Sequence, residues 1–342
     1  MKVLVIRTDR LGDTVLASPA WQALKDARPE AQVTLLTRRP YLPLFESDPQ
    51  LSAVLSFPEE GRGAVDELAR QLSALRFDAL LVLHLDRDVA RLVRKVSSPL
   101  KAGPLSKPWS WFLFTHPVRQ KRSRASLHEA DYSGLLLEKL GVAYQPRRPR
   151  IHLPAGKAKK EEELRQRLFG ERAEAPYIVV HPGMGGSALN WPSKRYAALV
   201  NMLLSETEAT VLVTGTDADR GYFGSLLTRC SPRLVSAVGN VDLVELALLL
   251  RRAAVFIGPS TGPMHLATAF DTPVVTLFSP VGVQQARRWG PYLARGTVLT
   301  PPADCREKHR CRGRKCHHHD CMDLISVGEV LQSVKEWLEK GS

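Results

Sequence analysis

The hydrophobic pattern of the first half of the chain is a series of short apolar runs separated by longer stretches of mixed character. Residues 2–6 (KVLVI) are followed by a glycine-containing turn and an apolar, alanine-rich stretch from Val15 to Leu24, which reads as strand, loop and helix. Residues 32–36 (QVTLL), 52–56 (SAVLS) and 79–83 (ALLVL) repeat the strand signal, with helical or turn-rich segments between them. Runs that are apolar at consecutive positions suit parallel strands covered on both faces, so the pattern predicts a doubly wound α/β domain.

The pattern changes between about Pro146 and Ala175, where PRRPR leads through a proline and a glycine into the charged helix candidate KAKKEEELRQRL. That shift is the expected boundary between a domain over 1–160 and a second over 175–342. A second series of strand signals follows at 177–180 (YIVV), 210–214 (TVLVT), 255–257 (VFI) and 274–278 (VVTLF), with helices predicted at 193–205, 219–229, 242–251 and 262–270. Val327, Val330, Leu331, Val334 and Leu338 have helical spacing and predict a helix over 327–338 that closes the core of the second domain or packs back across the linker. Two α/β domains of comparable size are expected to leave a cleft between them.

Composition narrows the class. A chain of 342 residues with 44% hydrophobic and 24% charged residues can build two ordinary cores, which excludes wholesale disorder and a small disulfide scaffold. The opening MKVLVIRTDRLGD runs into charge too early for a signal peptide, and no window reaches the roughly 18 to 20 uncharged apolar residues of a membrane span, so a cytoplasmic location is expected. The formal charge of +13 points to an anionic partner. The basic residues form no finger, homeodomain or other readable module, so nucleic acid is not the expected one. They are densest in the first half, at Arg119, Lys121, Arg122 and Arg124, where they can meet a phosphorylated glycolipid or an anionic membrane face.

Five segments carry candidate chemistry. TDRLGD (Thr8 to Asp13) lies between the first strand and the first helix, at the edge where open α/β sheets place their sites. There Asp13 can either cap the helix or take a proton from a bound hydroxyl. HPGMGGS (His181 to Ser187) puts three glycines after a strand, either exposing amides that can accept phosphate or forming a plain flexible connection, without the lysine and serine of a P-loop. TGTDADR places Asp217 and Asp219 past another strand end, where a carboxylate can hold ribose hydroxyls or cap a helix. In GPSTGPMHLA (Gly258 to Ala267), Ser260, Thr261 and the amides of a helix start converge on an anion seat, with His265 one turn further in as either a phosphate or sugar contact or a structural histidine. Lastly, Cys305, Cys311, Cys316 and Cys321 surround His317, His318 and His319. Their spacing admits a structural metal, redox pairing or packed reduced thiols; without a C-x2-C pair, packed thiols are expected and no metal is assigned.

VLVIRTDRLGDTVLASPAWQALK, HPG followed by NWPSKRYAALV, GPSTGPMHLATAFDTPVVTLFSPV and the tail CMDLISVGEVL together resemble the ADP-heptose:lipopolysaccharide heptosyltransferases of glycosyltransferase family 9, through nearly the whole chain. The resemblance implies a GT-B fold of two Rossmann-like domains, the first binding the acceptor and the second the nucleotide-sugar. It implies inverting transfer of heptose from ADP-heptose to a phosphorylated lipopolysaccharide core at the cytoplasmic face of the inner membrane, with no metal or cofactor required. Asp13 matches the family's catalytic base. Gly183 and the turn after it, through Ser187, match the nucleotide-side loop; Asp219 approximately matches the residue that holds the ribose. Thr261, Gly262, Met264 and His265 match the diphosphate-binding segment. Two positions depart from the pattern: Leu189 stands where many members have lysine, with Lys194, Arg195 or a first-domain arginine as possible substitutes, and Ser260 stands where many have aspartate. They keep open another nucleotide-sugar or acceptor, or a drifted member without activity.

Overall fold

The computed structural model describes residues 1–59, 61–154, 156–186, 188–223 and 231–341. It divides into two units, Met1–Arg122 with Ser126–Pro154, and Ser123–Ala125 with Ala155–Ser342.

In the first unit the strands β1 (Lys2–Ile6), β2 (Gln32–Arg38), β3 (Ala53–Phe57), β4 (Ala79–Val82), β5 (Leu100–Pro104) and β6 (His116–Val118) form a parallel sheet in the order β3-β2-β1-β4-β5-β6. The helices are α1 (Leu11–Ala27), α2 (Leu42–Phe45), α3 (Arg62–Leu75), α4 (Arg87–Lys95) and α5 (Glu129–Leu137). Val3 sits opposite Val33 of β2 and Ala79 of β4, and Val3 to Ile6 are fully buried. Leu4, Ile6, Leu80 and Val82 pack against Val65, Ala69 and Leu72 of α3 and Val89, Leu92 and Val93 of α4. Successive side chains leave a strand on opposite faces, so Val3 and Val5 serve the other layer, where α1 and α5 pack together.

The second unit repeats this plan. Its strands are β7 (Tyr177–Val180), β8 (Thr210–Val213), β9 (Leu234–Ser236), β10 (Val255–Pro259), β11 (Val274–Leu277) and β12 (Gly296–Leu299), in the order β12-β11-β10-β7-β8-β9. The helices are α6 (Lys157–Phe169), α7 (Ser193–Glu206), α8 (Arg220–Phe223), α9 (Leu243–Arg252), α10 (Gly262–Ala269), α11 (Ala286–Trp289) and α12 (Val327–Gly341). Val330, Leu331 and Val334 of α12 join the core with Trp191, Leu199 and Leu203, and Trp191 Nε1 donates to the Ile325 carbonyl at 3.0 Å. The charged linker candidate is α6, fastened to α9 through the buried Glu161, which pairs with Arg251 and Arg252.

The central strands appear within a residue or two of their sequence-based bounds, whereas β5, β6, β9 and β12 carried too weak a pattern to be expected. Of the helix predicted over 219–229, the described part is a short turn and α8; residues 224–230 lie outside the described residues.

Each sheet reverses its strand order once, between β1 and β4 and between β10 and β7. Chains leaving two such neighbours diverge to opposite layers, opening a crevice at the strands' carboxyl ends. The candidate segments TDRLGD, HPGMGGS and GPSTGPMHLA leave three of those four strands, β1, β7 and β10.

Candidate active site and nucleotide seat

At the crevice of the first sheet the chain buries an arginine among carboxylates. Arg7, directly after β1 and 1% exposed, donates from Nε to Asp9 Oδ1 at 2.8 Å and from Nη2 to Asp13 Oδ1 at 2.6 Å. Nη2 also reaches Glu129 Oε1 of α5 at 3.3 Å, while Nη1 contacts the Leu83 carbonyl after β4 at 3.4 Å. Arg122 Nη1 donates to the same Glu129 oxygen at 2.7 Å. His84, in the loop after β4, spans Asp9 at 3.3 Å and Asp86 at 3.5 Å.

Arg7 alone faces three carboxylates, those of Asp9, Asp13 and Glu129. The imbalance falls on Asp13. Burial raises its carboxyl; Arg7 lowers it in part, Asp9 and Glu129 raise it again, and the result is about 6. Asp9, four residues earlier, is driven the other way: burial would raise it, but the charges of Arg7 and His84 hold it at about 2. His84 is lifted to about 9, because its hydrogen bonds to Asp86 and Asp9 outweigh the burial that disfavours its charge. Accepting a proton on Asp13 relieves its repulsion by Asp9 and Glu129. That suits a base, which must gain a proton during reaction and be ionised beforehand.

The capping alternative for Asp13 is not what the fold uses. The N-cap of α1 is Arg10, which makes no side-chain cap, and the Asp13 carboxylate is turned onto Arg7. Thr8 Oγ1, in the short connection between β1 and α1, is buried with no hydrogen-bond partner among the described residues. Sequence reasoning missed Arg7, His84 and Glu129. A polar HLD directly after β4 was a signal for His84; nothing local marked Glu129, which stands 122 positions from Arg7. Arg122, expected among exposed acceptor-binding cations, is instead spent on Glu129, Gln120 and the Leu83 carbonyl.

In the second unit the loops after β7 and β10 adjoin. His181 N donates to Ile257 O at 2.8 Å, and a Cβ on Gly258 would come within 2.8 Å of the His181 carbonyl, so only glycine permits the approach. Burial holds the His181 imidazole neutral, at about 4, with Nδ1 3.0 Å from Thr214 Oγ1. Gly183 lies close to Asp219: a Cβ there would come 2.6 Å from its carboxylate, which would have to move away. Asp219 Oδ2 in turn accepts from the Thr216 amide at 2.8 Å and hydroxyl at 2.7 Å. Asp219 rather than Asp217 thus closes the turn, while Asp217 pairs with Arg220. Ser187 lies outside the described residues.

The start of α10 has the features of an anion seat. Thr261 is its N-cap but makes no side-chain cap, and Thr261 Oγ1 is buried without a partner among the described residues. The first-turn amides of Gly262 and Met264 face off the helix end, and Pro263 between them contributes no N–H. Met264 and His265 are buried, and the His265 ring lies 6.5 Å from that of Trp289, on which Arg288 stacks at 4.6 Å. A cation-bearing element, α11, therefore stands beside α10.

The family model for glycosyltransferase family 9 (heptosyltransferase) matches residues 65–319, more than half of the chain. The chain belongs to glycosyltransferase family 9. It is 25% identical over 340 residues to the lipopolysaccharide heptosyltransferase 3 of Escherichia coli, covering 96% of each chain. Its fold is similar to that of a family 9 glycosyl transferase from Veillonella parvula DSM 2008, with TM-score 0.87 at 22% identity over 99% of this chain and 97% of that one. It is also similar to the E. coli ADP-heptose lipopolysaccharide heptosyltransferase II, with TM-score 0.81 at 19% identity over 99% of each. The GT-B fold class with two Rossmann-like domains, expected from the sequence, is thereby borne out, and the family makes the chain a glycosyltransferase.

In this family 9 enzyme the departures from the family pattern have structural consequences. Leu189 is half-buried and packs against the core of the second unit, so no charge stands at that position. Lys194 and Arg195, the nearby substitutes, both pair with Asp323, at 3.1 and 2.8 Å, and so fasten the tail to α7. Cys305, Cys311, Cys316 and Cys321 line one small cavity with His318 and Leu189. Burial, with the other three thiols adding to it, pushes the Cys321 thiol up. Among the described residues no three His, Cys, Asp or Glu side chains are placed to hold a metal ion.

Proposed function

We propose that this glycosyltransferase moves L-glycero-D-manno-heptose from ADP-heptose to a hydroxyl of a phosphorylated lipopolysaccharide inner core, with inversion, while in peripheral contact with the cytoplasmic face of the inner membrane. The observation that carries the proposal is the partly buried Asp13 carboxylate, held ionisable near neutrality beside Arg7 at the crevice of the first sheet. Asp13 takes the proton of the acceptor hydroxyl as its oxygen forms a bond to the anomeric carbon of the donor. The bond from that carbon to the ADP oxygen breaks, and the electron pair leaves on the diphosphate. The Gly262 and Met264 amides and the Thr261 hydroxyl receive that charge at the start of α10, and the Gly183 and Asp219 turn takes the nucleoside side. His265 lines the same helix. Arg7 and Glu129 position Asp13 and set its basicity. The names of the E. coli relatives support heptose as the sugar and ADP as its carrier.

The decisive experiment incubates the enzyme with a panel of ADP- and UDP-sugars and truncated lipopolysaccharide acceptors, with mass analysis of the product. One heptosyl unit added from ADP-heptose is expected; transfer of another sugar, or none, overturns the proposal.

Two further outcomes test the parts. Since Asp13 must be deprotonated, kcat/KM should rise with pH through about 6 and level off above it. An activity independent of pH between 5 and 7 would remove Asp13 from the role. Replacing Thr261 with valine deletes a hydroxyl at nearly constant volume and should weaken ADP binding by about 1 to 2 kcal/mol, measured by calorimetry. Unchanged affinity would place the diphosphate elsewhere.

A further inference from the structure

The crossover between β5 and β6 exposes aromatic rings that the transfer chemistry does not use. Residues Pro108–Leu113 form a short 3-10 turn whose inner side is fixed: Ser110 is buried and its Oγ donates to the Lys107 carbonyl at 2.6 Å. Phe114, next along, is buried in the core against Gly103, where any Cβ would strike its ring. The outer side carries Trp109, Trp111 and Phe112, exposed by 43%, 58% and 89%. Among the described residues, every tryptophan or phenylalanine with so large an exposure belongs to this one turn. Water-exposed rings on an anchored turn cost solvation free energy that the fold does not recover internally, so they mark a contact surface.

Charge says what the contact is. From residue 97 to 128 the sequence contains no aspartate or glutamate, whereas Lys101, Lys107, Arg119, Lys121, Arg122 and Arg124 all fall within it. Leu105 N donates to Val118 O at 2.8 Å, joining the ends of β5 and β6, so that Lys107 and Arg119 leave the same sheet edge. Lys107, Arg119 and Lys121 are exposed. Tryptophan and phenylalanine beside cations, with no acidic residue among them, match the boundary of an anionic bilayer: the rings enter the headgroup region and the cations meet lipid phosphates.

We propose that the Trp109, Trp111 and Phe112 turn, flanked by Lys107, Arg119 and Lys121, is the element by which this protein docks on an anionic phospholipid surface. This deepens the membrane contact proposed above, yet its argument depends on neither the donor nor the sugar. It assigns Arg119 and Lys121 to lipid phosphates rather than to phosphates of the acceptor core.

The test is flotation of the full-length chain with vesicles of phosphatidylcholine alone or with about one third phosphatidylglycerol, at low and high salt. The parent should float with the anionic vesicles and be released by salt. A Trp111→Ser, Phe112→Ser double variant should bind about tenfold more weakly or worse, the scale of withdrawing two rings from the interface. A Lys107→Gln, Arg119→Gln, Lys121→Gln variant should lose the preference for phosphatidylglycerol. Both should keep the parent's ADP affinity, which reports an intact fold. Absence of parent binding, or a double variant that floats like the parent, overturns the proposal. So does a double variant that changes only the oligomeric state, which would make the turn a contact between copies of this chain. Transfer to a water-soluble truncated acceptor by the double variant should match the parent, so failure of the docking element and failure of the heptosyltransfer reading give different results.

Discussion

Asp13→Asn is expected to lower turnover by roughly 100-fold or more at saturating donor and acceptor, the scale of losing a positioned general base. The amide keeps the size of the carboxylate and an oxygen that can accept from Arg7 Nη2, so the variant should remain folded. Its stability has a definite sign. Folding raises Asp13 from the ordinary carboxylate range to about 6, so the native state binds a proton more readily than the unfolded chain over that interval. This contribution to stability is present at low pH and is lost as pH rises through about 6. At pH 8 the neutral asparagine escapes the penalty, and the variant should melt no lower than the parent. A turnover near that of the parent would end the assignment, and a large fall in Tm at pH 8 would show that the carboxylate is structural.

The second large effect is expected at Arg7. Arg7→Met removes the cation shared by Asp9, Asp13 and Glu129 while keeping much of its apolar length. Glu129 retains Arg122 and Asp9 retains His84, but Asp13 has no other partner in the ion-paired network. Breaking a buried ion pair from one side costs about 3 to 5 kcal/mol. For a unit of this size that lowers Tm by on the order of 10 °C at pH 8, as read by circular dichroism. Part of the loss should return near pH 5, where the carboxylates begin to take up protons. In the surviving protein the rise of kcat/KM with pH should move to higher pH, because the charge that opposed the effect of burial on Asp13 is gone. Unchanged melting together with an unchanged pH profile would mean that Arg7 neither holds the fold nor sets the base.

How far the sequence was legible follows from how locally each feature is encoded. β1, β4, β7 and β10 are covered on both faces, which demands consecutive apolar residues, and KVLVI, ALLVL, YIVV and VFI announce them. β5 (LKAGP), β6 (HPV), β9 (LVS) and β12 (GTVL) lie toward the sheet margins, where less cover is needed and proline or glycine is tolerated, so no dense apolar run marks them. The candidate nucleotide seat was legible because a strand, a small-residue turn and a helix start are contiguous in GPSTGPMH. The turn at Asp219 was only half legible: its position was evident, but its commitment to Thr216 and its closeness to Gly183 depend on how the chain folds back.

By itself the sequence determined two βα series, their order, and the placing of Asp9, Asp13, Gly183 and Thr261 at the ends of strands, because those follow from local periodicity and from turns a few residues long. Tertiary structure decided the electrostatics. Asp9 and Asp13 sit in the same six-residue segment, Asp13 already in the first turn of α1, with the same intrinsic acidity, yet one is held at about 2 and the other at about 6. The difference comes from His84, brought by β4 to one of them, and from Glu129, carried by α5 to share Arg7 with the other. Burial and Coulomb energy depend on distances through space, and chain positions more than 70 residues apart set those distances here.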